Sequence, residues 1–195
     1  MTLVEAAHNS VGLSGGYGTR SEPYMLLEEH RLWTSQMESI NKVLEETIRK
    51  VQHVEKLLAI KGVGMVTIAG FIAEVGDIRR FKSPKQIQKY AGLELVENSS
   101  GKHKGKTRIS KRGRRKLRKI LYQVMIPLLA RNKEFREIYD YYLTRAKNPL
   151  KRRQAMIAVS CKLIRVFYAV LTKGTDYDRS KMLSDIHRNS ELIAA

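Results

Sequence analysis

The sequence predicts a mainly α protein, in which a long coiled-coil-like helix leads into a compact helical domain. Three observations carry that reading. Apolar residues recur at 4-3 spacing from Leu26 to Leu58, and later segments repeat a helical period between glycines and capping residues. Apolar–polar alternation is confined to one short stretch around Ser99-Ser100-Gly101. With 195 residues, 43% of them hydrophobic, the chain can bury one sizeable core.

Residues 1–22 are rich in Gly and Ser, show no sustained period and read as a flexible lead-in. Leu26, His30, Trp33, Met37, Ile40, Leu44, Thr47, Val51, Val54 and Leu58 then form a heptad seam. They predict one helix over residues 23–56, about 50 Å long, with Ser21 as its cap and Pro23 in its first turn. Such a seam needs a partner, either a second copy of the chain or a later element, so a dimerising coiled coil and a scaffold helix both stand. Residues 57–173 read as the compact domain, and 174–195 as a tail.

Within that domain, Lys61-Gly62-Val63-Gly64 separates Leu57, Leu58 and Ile60 from an apolar helix that runs to Val75. This is a helix-hairpin-helix pattern. Gly62 and Gly64 would let backbone approach a ligand, and the free N–H groups opening the second helix would face a phosphate. A plain packing corner is the alternative. Ser83 and Pro84 start a short helix ending near Ala91-Gly92, and residues 93–109 predict a small basic β-hairpin or ordered loop. Ser110 is expected to cap a basic helix reaching about Asn132. Leu117, Ile120, Leu121, Val124 and Leu128 would be buried, with a kink at Pro127. Helices over 133–146 and 149–173 complete the domain.

Charge narrows the function. The net charge is +18 and is unevenly spread: residues 1–55 hold five Lys or Arg against eight Glu, so the remainder carries +21. From Gly101 to Lys119 there are eleven Lys or Arg and no carboxylate. That density calls for a polyanion, and nucleic acid fits it best. Lys102, Lys104, Lys106, Arg108, Lys111, Arg112, Arg114, Arg115 and Arg118 join Gly62, Val63 and Gly64 as candidate nucleic-acid contacts. A hydroxyl at the lip of this segment is a candidate nucleophile on phosphorus. The lone Cys161 excludes an internal disulfide, and its apolar helical setting predicts a buried, inert thiol. No metal-ligand spacing of His or Cys is present, so no metal is assigned. No membrane span or signal segment is expected, which places the protein in the cytoplasm.

In order, Gly62-Val63-Gly64, Ala73-Glu74-Val75-Gly76-Asp77, Phe81-Lys82-Ser83-Pro84-Lys85-Gln86, Tyr90-Ala91-Gly92-Leu93, Ser100-Gly101, Ile109-Ser110-Lys111-Arg112-Gly113 and Leu117-Arg118 form a linear series. This series, over about residues 57–173, resembles the C-terminal transposase domain of insertion-sequence family 110 with its 1111 subgroup. These are recombinases guided by a bridging noncoding RNA. His8-Asn9-Ser10-Val11-Gly12-Leu13 and the heptad helix resemble the linker and coiled coil preceding that domain.

The resemblance implies a DNA transposase or site-specific recombinase component in which Ser100 attacks the DNA backbone and joins to it covalently, with Ser99 the runner-up. It implies DNA as partner, with a guide noncoding RNA as a second candidate, and a substrate grip from Arg108, Lys111, Arg112 and Arg118. His103 and Glu97 are the nearest candidate bases. The family carries an N-terminal RuvC-like domain whose acidic residues hold Mg²⁺. The first aspartate here is Asp77, so Mg²⁺ is expected only with that missing domain, and no cofactor in this chain. The chain is therefore expected to be a truncated or internally started copy, or a separately encoded C-terminal half, inactive alone. The alternative is a non-enzymatic DNA- or RNA-binding module, a transposase remnant.

Overall fold

A computed structural model describes residues 3–9, 16–96, 99–100, 103–104, 107–184 and 186. The protein is mainly α, and it divides into two units, Met1–Leu44 and Glu45–Ala195.

In the first unit, residues expected to be featureless form a short helix, α1 (Leu3–His8), whose sequence LVEAAH is rich in strong helix formers. Helix α2 (Tyr17–Ile48) starts earlier than its caps suggest, so Pro23 lies inside it and not in its first turn. Leu26, Trp33, Met37 and Ile40 are 58–66% exposed at their 4-3 spacing. Pairs within one or two turns, such as Arg31 with Glu28 at 2.7 Å, line the polar side.

The predicted single helix over 23–56 is corrected at its C-terminal end. Helix α2 stops at Ile48, and α3 (Val54–Leu58) is a separate element. Between them His53 adopts a left-handed conformation, φ 65°, which no continuous helix admits. Val51 therefore falls in the break, while Val54 and Leu57 are buried in the second unit's core. The 4-3 spacing ran across the break because two elements with different partners happen to share it.

The second unit is built around α9 (Arg152–Lys173). Helices α3, α5 (Pro84–Tyr90), α6 (Arg115–Gln123), α7 (Met125–Arg131) and α8 (Lys133–Thr144) all pack against it, and α4 (Met65–Val75) packs on α6. Ala155, Val159, Leu163, Phe167 and Val170 of α9 are buried at spacings of three and four, and Phe167 meets Phe71 edge-to-face at 4.9 Å. Gly70 of α4 allows the approach to α6, since a Cβ there would lie 2.8 Å from Ile120 Cδ1. By length and composition α9 is apolar enough to cross a membrane, contrary to the sequence expectation, yet its inward stripe is core packing. Burial pushes the Cys161 thiol of this helix up to about 11 and keeps it protonated. Lys56 of α3 closes the far end of α9, donating to the Gly174 carbonyl at 2.6 Å, where a cation also suits the helix dipole.

The basic helix differs from its expected bounds. It begins at Arg115, with Arg114 and not Ser110 at the cap position, and it breaks at Val124. Pro127 then sits in the first turn of α7, where it costs no hydrogen bond. Asn132 caps α8, its Oδ1 accepting from the Phe135 amide at 3.1 Å.

Candidate nucleic-acid interface

The hairpin expected over 93–109 is present. Strands β1 (Leu95–Val96) and β4 (Arg108–Ile109) pair antiparallel, and further along β2 (Ser99–Ser100) pairs with β3 (His103–Lys104). The register sets Ser100 opposite His103 and Ser99 opposite Lys104. Glu97, Lys102 and Lys106 lie outside the described residues, and for Ser99, Ser100, His103 and Lys104 the backbone alone is described.

The ladder does not end with β4. The Ser110 amide donates to the Glu94 carbonyl at 2.7 Å, the Lys111 amide to Gly92 at 3.0 Å and the Arg114 amide to Tyr90 at 2.8 Å. Ser110 is thus drawn into a strand-like pairing, which is why it does not cap the helix. Gly113, at φ 130°, permits the close pass, because any side chain there would strike the Tyr90 carbonyl. This stitching anchors the hairpin base and the start of α6 to the end of α5.

The structure sorts the candidate cations by what they touch. Arg118 is half-buried, and its Nη1 donates to the carbonyls of Ala91 at 2.9 Å and Lys111 at 3.2 Å, clamping the stitched loop. Arg114 donates from Nε to the Tyr90 hydroxyl at 2.9 Å and lies 3.7 Å from Glu74. Arg108, Lys111, Arg112, Arg115, Lys116 and Lys119 are exposed, with no side-chain hydrogen bond or ion pair among the described residues. Arg115, Lys116 and Lys119 lie on the exposed side of α6, opposite the buried Leu117 and Leu121.

The glycine corner divides likewise. A Cβ on Gly62 would lie 2.7 Å from both the Leu128 Cα and the Pro127 oxygen, and its φ is 91°. Gly62 therefore admits the backbone of α7 of this same chain, and Val63 is buried beside it at 6% exposure. Gly64 alone opens outward: nothing lies within 4 Å of its Cβ position, and no side chain caps α4 there. Among the described residues no three His, Cys, Asp or Glu side chains come together.

Residues 54–140, which hold the glycine corner, the hairpin and the basic helix, match the family model for the Transposase IS116/IS110/IS902 family. This segment is therefore similar to the transposases of the IS110 elements. The chain is 29% identical over 131 residues to the "Insertion element IS116 uncharacterized 44.8 kDa protein" of Streptomyces clavuligerus, covering 67% of this chain and 32% of that one. It is 25% identical over 158 residues to a "Probable family 20 transposase" of Pseudomonas aeruginosa, covering 78% and 45% respectively. It is 29% identical over 123 residues to the "Transposase for insertion sequence element IS1111A" of Coxiella burnetii, covering 63% and 34%. The chain thus spans less than half the length of these relatives.

Proposed function

We propose that this chain is the DNA-gripping and strand-joining part of an insertion-sequence transposase, working together with an acidic RuvC-like domain. The observation that carries the reading is the set of exposed, carboxylate-free cations around the hairpin base, in a segment that matches a transposase family. Charges so placed lower the energy of a nearby phosphodiester and of the extra negative charge that builds on its non-bridging oxygens during attack.

In this reading the Ser100 Oγ attacks phosphorus, the P–O bond to a 3′- or 5′-hydroxyl breaks, and the leaving oxygen takes a proton. The phosphoserine ester keeps the bond energy for rejoining. His103, opposite Ser100 in the ladder, is the candidate to hold the serine proton. Arg108 and Arg112 are the candidates to stabilise the developing oxyanion. The Gly64 end of α4 supplies a phosphate contact that positions DNA without reading sequence, and a guide noncoding RNA is the second polyanion that this surface suits.

The test is a covalent adduct. With the acidic domain, guide RNA and labelled target DNA supplied, the wild-type chain should carry label through a denaturing gel, and Ser100→Ala should bind DNA equally but carry none. Equal binding with no wild-type adduct would leave a non-enzymatic binding module as the function.

The exposed seam of α2 supports pairing with a second copy through Leu26, Trp33, Met37 and Ile40. Trp33→Glu with Met37→Glu is expected to halve the mass measured by light scattering at 10-fold above the wild-type dissociation constant. An unchanged mass would place the oligomer contact elsewhere.

A further inference from the structure

A second cationic group lies beside the base of the hairpin. Arg80 belongs to a single 3₁₀ turn (Ile78–Arg80), Tyr90 ends α5, and Arg114 precedes α6. They converge because the Arg114 amide is bonded to the Tyr90 carbonyl, while Phe81, next to Arg80, packs its ring 5.4 Å from that of Tyr90. The Arg80 guanidinium lies 4.7 Å from the Phe81 ring centre and 5.2 Å from that of Tyr90. These contacts orient it without neutralising it. The Arg114 guanidinium approaches the Tyr90 ring at 5.8 Å and donates to its hydroxyl oxygen.

The charge there is not balanced. Among the described residues Arg80 has no ion pair, and Asp77, the nearest acid in sequence, is committed to Arg79 at 3.0 Å. Among the described residues Arg114 pairs only with Glu74, at 3.7 Å, and Lys89 only with Glu94, at 3.8 Å, both long contacts. Arg80, Phe81, Gln86, Lys89 and Tyr90 line an open cleft of about 470 Å³. The Tyr90 oxygen accepts from Arg114 Nε, which leaves its own O–H to donate to a ligand in that cleft. Hydrogen bonding from Arg80, and then from Arg114, holds the phenol below its usual pKa, as an electropositive spot requires.

We propose that Arg80, Tyr90 and Arg114 form a seat for one backbone phosphodiester of the bound nucleic acid, a contact separate from the Ser100 hairpin. The two guanidiniums and the phenol O–H all donate, which suits an anion with several acceptor oxygens. The cleft is shallow and open, fitting a phosphate that remains part of a chain. Arg114 lies in sequence between the exposed Arg112 and Arg115, so one strand can run from the seat onto the basic segment. The seat rests on the nucleic-acid reading above.

The experiment is fluorescence anisotropy of the full chain with two unrelated labelled duplexes across a salt series. Arg80→Ala should weaken both about tenfold at 0.1 M salt and reduce the slope of log K against log salt by about 1. Arg80→Lys should restore the slope, and Tyr90→Phe should weaken binding severalfold at unchanged slope, since it removes a donor and no charge. Arg131→Ala, on the far end of α7, is the comparison for general charge loss. Arg80→Ala matching Arg131→Ala in both affinity and slope would overturn the seat while leaving DNA binding intact. A wild-type chain that binds neither duplex would overturn both readings. Inorganic phosphate at matched ionic strength should not compete with DNA. Competition that disappears in Arg80→Ala would make this a free-phosphate site and overturn the assignment.

Discussion

Gly62→Ala is expected to destabilise the fold by about 3 kcal/mol or more, whereas Gly64→Ala should change stability by less than about 0.5 kcal/mol. The two glycines share one motif but face different things. A methyl group on Gly62 would sit 2.7 Å from the backbone of α7, which cannot rotate away as a side chain would, and φ 91° adds strain for any L residue. Gly64 has φ −99° and open space at its Cβ position, so alanine fits it. Urea denaturation of the two variants reads this contrast directly. Gly64→Val, which places a branched side chain where a phosphate would approach, should weaken binding to unrelated duplexes alike. A loss limited to one sequence would contradict the backbone contact.

The triple substitution Arg112→Ala, Arg115→Ala and Lys119→Ala is expected to cost about tenfold in DNA affinity per charge at 0.1 M salt, roughly a thousandfold together. None of the three makes a side-chain hydrogen bond or ion pair among the described residues, so their removal should leave the melting temperature within a few degrees of wild type. Arg118→Ala separates the two roles within the same basic run. It removes the donors to the Ala91 and Lys111 carbonyls, so its first effect should be on stability. Affinity measured by anisotropy, beside melting curves of the same variants, checks both statements.

These cases also show which features a linear reading reaches. The apolar stripe of α6 and the start of α5 at Pro84 were legible because both depend on neighbours within a turn or two, although the Ser83 side chain makes no cap hydrogen bond there. The end of α2 was not: Val54 continues the heptad spacing but buries itself against helices far along the chain. Ser110 has the look of a helix cap, yet its amide pairs with Glu94, and a pairing across that many residues leaves no local trace. The same limit applies to the site. A run of Lys and Arg marks a polyanion surface, but only the folded chain reveals that Arg118 clamps a loop and Arg114 turns to Tyr90. The Arg80–Tyr90–Arg114 cluster was invisible for that reason, being assembled from three short segments, two of which meet at the close pass of Gly113 against Tyr90.

The central claim is that exposed cations of the helical domain bind a nucleic-acid backbone. Its most direct test is the salt dependence of duplex affinity for the unmodified chain. If six or more phosphates are neutralised, affinity should fall about 10³-fold over a fourfold rise in salt. An affinity that stays flat across that range, or no binding at all in dilute buffer, would contradict it.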